Sequence, residues 1–210
     1  MNSTIHERPG VYSSYDASSV VGARAAGKIV GAAAVAAKGT ANRVETITSY
    51  EEGTEIFGAD TESAHGMSAL LKLLFANGAG TVKAVAVGSD DSGKADYESA
   101  FAALSEEEDV GIVVCDSAET TVHQSLKESV EGASAARRER IAVVGGKEET
   151  AAQMVSHARA INSERVVLVG PDVTLSDGTE RSAAFAAAAV AGVMAAGAFV
   201  QGSEKIFGSK

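Results

Sequence analysis

Four short apolar runs, Thr81–Val87, Val110–Cys115, Ile141–Val144 and Val166–Val169, recur about one helix-length apart, and this spacing governs what the chain can fold into. The intervening stretches read as helices. Asp96 opens one that carries Tyr97, Phe101 and Leu104 at helical spacing. Thr121 and Gln124 form a capping-box pair at the head of a second, which runs to about Arg138. Glu149–Ile161 is a third. The runs do not alternate apolar with polar residues, so both faces of each strand must be covered. A β-α-β-α order of this kind implies a largely parallel sheet with right-handed crossovers. Asp177-Gly178 marks a tight turn, with a small hairpin expected between Val173 and Thr179. The expected class is therefore α/β: a largely parallel sheet with helices on both faces, preceded by an extended N-terminal arm and a small β/α segment.

The arm is read from Arg8-Pro9-Gly10-Val11-Tyr12. Pro9 fixes its own φ and lacks an N–H, and Gly10 permits a sharp bend, so Val11 begins a short extended piece. Its flanks, Met1–Glu7 and Ser13–Gly22, offer few apolar residues with which to fold back. An extended arm has unpaired backbone groups, and adding to the sheet edge of another molecule would satisfy them. The alternative is a terminus that contacts nothing. The arm's candidate contact residues are Pro9, Gly10, Val11, Tyr12 and Tyr15; Ile206 and Phe207 form a second candidate edge near the carboxyl terminus.

Composition narrows the function. With 210 residues the chain can bury one substantial core or two small ones. A net charge of −10 argues against nucleic acid, whose phosphates would be repelled. Arg137, Arg138 and Arg140 form a local basic cluster, read as the solvated end of a helix and a candidate for contacts between bodies. The single cysteine, Cys115, lies in an apolar run and reads as a buried, inert thiol. The polar Met1–Gly10 does not resemble a signal peptide. Ser182–Val200 is uncharged and approaches membrane-spanning length, but its Ala and Gly content favours a closely packed interior helix.

Candidate chemistry belongs at the carboxyl ends of the strands. Gly88–Lys94 has the Gly-x4-Gly-Lys skeleton of a phosphate-binding loop, and Asp116 sits where such a protein would hold magnesium. Ala95, however, replaces the metal-binding hydroxyl, and Asp90 and Asp91 place negative charge where phosphate would lie. Gly145-Gly146-Lys147 lacks the rest of a dinucleotide fingerprint. His6, His65, His123 and His157 are scattered and read as having no second ligand nearby, so no metal site is expected. Serines abound, but there is no Gly-x-Ser-x-Gly elbow, and no histidine is expected in a loop beside Asp116 or Asp172. Those two aspartates read as helix-start and turn residues, and Glu106–Asp109 as a solvated helix end. No cofactor and no catalytic residue is expected. A nucleotide-binding or hydrolytic α/β enzyme using the Gly88–Lys94 loop is the alternative.

The segments "RPGVYSSYDASS", "KIVGAAAVAAKGTANRVETITSYEEGTEIFG" and "ALLKLLFANGAGTVKAVAVG" together resemble the opening of contractile phage tail sheath proteins, a family that includes the sheaths of phage-tail-like bacteriocins and injection machines. The matching features are the Pro-Gly-Val-Tyr arm, the buried strand leading to Lys38–Asn42, and a helix from Ile47-Thr48-Ser49 to Phe57-Gly58. A Leu-rich helix closed by Asn77-Gly78 and the strand Thr81–Val87 follow, and a weaker likeness reaches Val190-Ala191-Gly192. The resemblance implies a structural subunit, stacked as helical rings around a tail tube, with terminal arms adding strands to neighbours' sheets. It implies boundaries of 1–22 for the arm, 23–88 for an N-terminal β/α segment, 89–200 for a sheath-core-like domain and 201–210 for a tail. Its weakest join is Ser89–Lys94, and one domain or two intimately packed layers both fit. The implied partners are other copies of the chain and a tail tube protein, with no nucleic acid and no membrane; family members usually continue into a carboxyl-terminal part, so the chain is a fragment, a naturally short sheath-like protein or half of a split system in which a second sheath chain supplies that part. The implied setting is a virion or contractile particle assembled in the bacterial cytoplasm.

Overall fold

Along the strand β1 (Ile29–Val35), successive residues bury themselves on opposite sides of a sheet. Val30, Ala32 and Ala34 join one apolar cluster and Ala33 the other, so both faces of the strand are interior. The computed structural model describes residues 27–59, 66–88, 93–147, 150–174 and 180–197; the arm, Ile206 and Phe207 lie outside them. The remaining elements are β2 (Val44–Ile47), α1 (Tyr50–Phe57), α2 (Gly66–Ala76), β3 (Val82–Val87), α3 (Lys94–Ser105), β4 (Val110–Cys115) and α4 (Thr120–Ala135). They continue with β5 (Ile141–Gly145), α5 (Ala151–Ile161), β6 (Val166–Val169), β7 (Val173–Thr174), β8 (Glu180–Arg181) and α6 (Ala183–Ala195).

Six strands form one sheet in the order β2-β3-β1-β4-β5-β6. All its pairings are parallel except that of β2 with β3, which is antiparallel. β1 takes the interior place between β3, in register Val30↔Val82 to Val35↔Val87, and β4, so the segment 23–88 and the segment 89–200 contribute to the same sheet. Residues of α1, α2 and α6 cover one face and those of α3, α4 and α5 the other. Fully burying each of Met67, Leu70, Leu71 and Leu74 from α2 stabilises the fold by about 1.5–3 kcal/mol. The expected α/β class with helices on both faces is what the chain adopts.

The alanine-rich carboxyl helix is short of membrane-spanning length, and no helix among the described residues is long and apolar enough to cross a membrane. Ala183, Ala184, Ala187, Ala188, Ala191 and Ala195 of α6 are all buried. Small side chains are required because the backbones nearly touch. A Cβ on Gly145 would lie 2.0 Å from Ala184 N, and one on Gly192 would lie 2.8 Å from Leu74 O. The helix is started by two side chains: Asp172 Oδ1 accepts from Ala183 N at 2.8 Å, and Ser182 Oγ from Ala184 N at 3.3 Å. β7 and β8 pair as Val173↔Arg181 and Thr174↔Glu180, flanking the expected Asp177-Gly178 turn, which itself lies outside the described residues.

Three helix starts differ from expectation. Asp96 sits three residues inside α3, where its carboxylate accepts from Gly93 N at 2.9 Å; Gly93 is the capping position. The Thr121–Gln124 box does not form: α4 begins at Thr120 after Glu119, with no side-chain cap, and ends at Ala135. The box appears instead at α5, between Thr150 and Gln153.

Candidate functional site

The carboxyl ends of the parallel strands, where an α/β sheet would bind a ligand, hold two buried polar clusters. The first centres on Asp116, directly after β4. Its Oδ2 accepts from Val35 N at 3.0 Å, and its Oδ1 accepts from Tyr97 OH at 2.5 Å. The carboxylate thus ties the end of β1 to α3. Burial raises its pKa, while the bonds from Tyr97 and Val35 work in the opposite direction. Burial also pushes the Tyr97 phenol well up, reinforced by the charge and hydrogen bond of Asp116. α2 begins against the same carboxylate: a Cβ on Gly66 would lie 1.9 Å from Asp116 Oδ2. Asp116 is accordingly a tie between elements rather than the helix-start residue expected. The neighbouring Cys115 is fully buried, and that burial raises its thiol pKa strongly, so it stays a thiol.

The second cluster corrects the sequence reading directly. His123 of α4 and His157 of α5 are not isolated: the rings stack with centroids 5.1 Å apart, and His123 Nδ1 lies 3.1 Å from His157 Nε2. Both are buried. His123 Nε2 lies 2.8 Å from the carbonyl oxygen of Ser117, which can only accept. Neutral His123 must therefore carry its proton on Nε2, leave Nδ1 bare and accept from His157 Nε2–H. The chain of donation runs from His157 to His123 to Ser117. Burial drives the His123 pKa down to about 4, with His157 adding to the fall and Ser117 opposing it. The pairing had a readable signal. His123, Leu126, Val130 and Ala133 fall on one buried helical stripe, and His157 lies one turn before the buried Ile161. His65 and His6 lie outside the described residues.

No nucleophile is activated by these groups. Ser117 Oγ accepts from Glu119 N, and the histidine pair meets the Ser117 carbonyl rather than its hydroxyl. Among the described residues no cluster of three or more potential ligands could hold a metal. Residues 89–92 of the Gly88–Lys94 loop lie outside the described set. The N–H of Gly93, which a phosphate loop would aim at its ligand, is taken by Asp96, and Lys94 pairs with Glu98 at 3.1 Å. Lys147, after Gly145-Gly146, pairs with Glu119.

At the opposite end of the sheet, the basic cluster proves to be internal. Arg140 is 2% exposed, and its guanidinium donates to Leu104 O at 3.0 Å and Glu107 O at 2.8 Å. Arg138 donates to Ser105 O at 2.6 Å. Both bind carbonyls at the end of α3 and just beyond it, where Leu104 O also accepts from Glu107 N at 3.2 Å, so only Arg137 of the three is exposed. The solvated patch expected from sequence is thus largely absent. The acidic run is the solvated helix end expected, with Glu106, Glu108 and Asp109 exposed, although two of its members hold a lysine. Lys83 lies 2.5 Å from both Glu107 and Asp109, and these bonds raise its pKa although burial alone would lower it.

The two sheet margins differ in chemistry. β2 carries Glu45, paired with Arg43 at 2.9 Å, and just beyond it Thr48 N donates to Glu52 at 2.8 Å. β6 reads Val-Val-Leu-Val with no charge, and Val167 is 39% exposed.

The profile of the phage tail sheath protein central domain matches residues 90–203, more than half of the chain. The chain belongs to the phage tail sheath family. Its fold is that of solved sheath structures. The sheath tail protein of Desulfitobacterium hafniense superposes with a TM-score of 0.63 at 14% identity, over 89% of this sheath chain and 62% of the other. That of Listeria innocua gives 0.62 at 14% identity, over 81% and 56%. The helical sheath of the anti-feeding prophage in its contracted state gives 0.54 at 16% identity, over 90% and 52%. The present chain therefore spans between about half and 62% of the length of these sheath proteins. No curated protein matches it.

Proposed function

We propose that this chain is a structural subunit of a contractile tail sheath that self-assembles into helical rings around a tail tube. The observation that carries the reading is the family match over residues 90–203. The internal use of the polar groups agrees with it. Asp116, Tyr97, His123, Arg138 and Arg140 each tie one element to another, which suits a rigid body that moves as a unit. On this reading residues 1–22 are an arm. Pro9, Gly10, Val11, Tyr12 and Tyr15 make its contacts with a neighbouring copy, with Ile206 and Phe207 as a second pairing edge. The described residues form the body between them. Partners are other copies of the chain and a tube protein. The setting is a virion or contractile particle assembled in the bacterial cytoplasm, and the work done is packing, with no bond made or broken.

Electron microscopy of the purified chain, alone and with residues 1–15 deleted, tests this. Rings or tubes are expected from the full chain, and a folded but unassembled protein from the deletion. Unaltered assembly without residues 1–15 refutes the role of the arm.

A further inference from the structure

We propose that Asn77-Gly78 is a self-modification site, at which the Asn77 amide is lost by deamidation only when the carboxyl-terminal cap of α2 opens. This chemistry is independent of how copies of the chain assemble. Of the asparagines Asn2, Asn42, Asn77 and Asn162, Asn77 alone precedes a glycine, whose backbone nitrogen is the least hindered that an asparagine side chain can meet. In the reaction the Gly78 nitrogen gives its proton to solvent base and attacks Asn77 Cγ. The Cγ–Nδ2 bond breaks, ammonia leaves, and a cyclic imide remains. Water then opens the ring at either carbonyl to give aspartate or isoaspartate. The balance is one water consumed and one ammonia released, with no oxidant and no cofactor.

The fold withholds both reacting groups. Gly78 N donates to Phe75 O at 3.1 Å and Ala79 N to Leu74 O at 3.0 Å, the paired bonds that close a helix ending in a left-handed residue. Asn77 Nδ2 donates to Leu73 O at 2.8 Å, which draws the side-chain amide back along the helix. The proton of the nucleophile and the leaving group are thus each held by a carbonyl of α2. Neither is released without undoing the last turn. Access of water is not the barrier, since Gly78 is exposed and Asn77 half-buried.

The packing fixes the dipeptide and makes its conversion costly. Gly78 has φ +99°, and a Cβ there would lie 2.9 Å from Ala196 Cβ, so the position requires glycine. Asn77 Cβ lies 2.9 Å from where a Cβ on Gly192 would be, so the cap stands directly against α6. A carboxylate at position 77 has no N–H for Leu73 O, and it adds negative charge at the helix end that is already negative. Isoaspartate also lengthens the backbone by one carbon where Ala79 N must reach Leu74 O. Conversion of this side chain therefore loosens α2 from α6 irreversibly.

The test incubates the full-length chain in mildly alkaline buffer, folded and in urea, and follows tryptic digests by mass spectrometry. Cleavage after Lys72 and Lys83 isolates residues 73–83, in which Asn77 is the sole side-chain amide. In urea Asn77 should convert ahead of Asn2, Asn42 and Asn162. In the folded chain its conversion should be slower by about ten- to a hundredfold, the population cost of releasing two ordinary hydrogen bonds. Asn77→Asp, which mimics the product, should unfold at lower urea than wild type. Asn77→Gln, whose longer side chain closes the imide ring poorly, should suppress the mass gain in the 73–83 peptide. Equal rates at Asn77 in the folded chain and in urea overturn the gating by the cap. Another asparagine leading in urea, or a mass gain undiminished in Asn77→Gln, overturns the site itself. An Asn77→Asp chain as stable as wild type overturns the loosening of α2 from α6.

Discussion

Acidification should weaken the body through His123. In the fold His123 is held neutral, with a pKa of about 4 against 6.5 for the free group. The sign follows from linkage. The folded pKa is depressed, so the unfolded chain takes up the proton first, and stability present above about pH 6.5 is lost as the pH falls towards 4. A difference of that size corresponds to about 3 kcal/mol once the loss is complete, with about 1 kcal/mol of it gone near pH 5.5. The geometry gives the same direction. A second proton would go to Nδ1, which already accepts from His157, so protonation sets donor against donor 3.1 Å apart inside the interior. Set against a typical domain stability of roughly 5–15 kcal/mol, this is a large change.

Other groups titrate nearby and must be separated from it. Glu119 favours the charged imidazole and His157 disfavours it. Asp116, whose pKa is raised by burial, contributes with the opposite sign: its protonation becomes easier for the folded chain as the pH falls. The comparison is therefore with His123→Gln, whose amide can still donate to Ser117 O and accept from His157 but does not titrate. Urea unfolding of both chains at several values between pH 7.5 and 4.5 should show wild type losing stability faster, by about 1–3 kcal/mol across the range. Parallel curves for the two proteins would falsify the forced neutrality of His123. An NMR titration placing its pKa near 6.5 would do the same.

Gly145→Ala places a Cβ 2.0 Å from Ala184 N, a backbone atom that cannot swing aside, and should destabilise the fold by about 1–3 kcal/mol or more in urea unfolding. Gly80→Ala, with nothing within 4 Å, is the control and should be nearly neutral. Arg140→Leu leaves Glu107 O without the guanidinium, while Leu104 O keeps its bond from Glu107 N, and should cost about 1–3 kcal/mol. Arg140→Lys should restore at most part of this, since one ammonium lacks the planar fork that reaches both carbonyls.

The body was legible where the pattern was strong. Val110–Cys115 and Val166–Val169 are strands at the expected residues; the lack of alternation correctly implied burial on both faces for the first, whereas the second lies at the sheet margin, only partly buried, with Val167 39% exposed. The interior reading of the small-residue helix likewise held, because Ala and Gly at close spacing signal backbone contact more than they signal lipid. What failed was local chemistry whose outcome depends on tertiary neighbours. Thr121 and Gln124 have the composition of a capping box, but the cap falls two residues earlier, at Glu119, and makes no side-chain bond. Arg138 and Arg140 look like a solvated patch in one dimension; only the packing of α3 against α4 brings the carbonyls at the end of α3 within their reach. His123 and His157 are 34 residues apart, and their contact needs both helices to lie on the same face of the sheet. The inward stripe of α4 was visible, yet nothing in the sequence alone said which helix would face it.

The charge balance bears on how such bodies would join. Each copy carries a net charge of −10, so bringing copies together is opposed by repulsion, and that repulsion weakens with added salt. Some basic side chains are already engaged within the body, Arg138 and Arg140 at the end of α3 and Lys83 on Glu107 and Asp109, and Arg165 pairs with the exposed Glu139 at its surface. Complementary charge is therefore a poor candidate for the cohesive force in the proposed assembly. Main-chain pairing at a sheet edge is a better one, because its hydrogen bonds require no charge and its register is set by apolar side chains on alternate faces. Assembly should then strengthen as salt rises, whereas a lattice held by ion pairs would loosen.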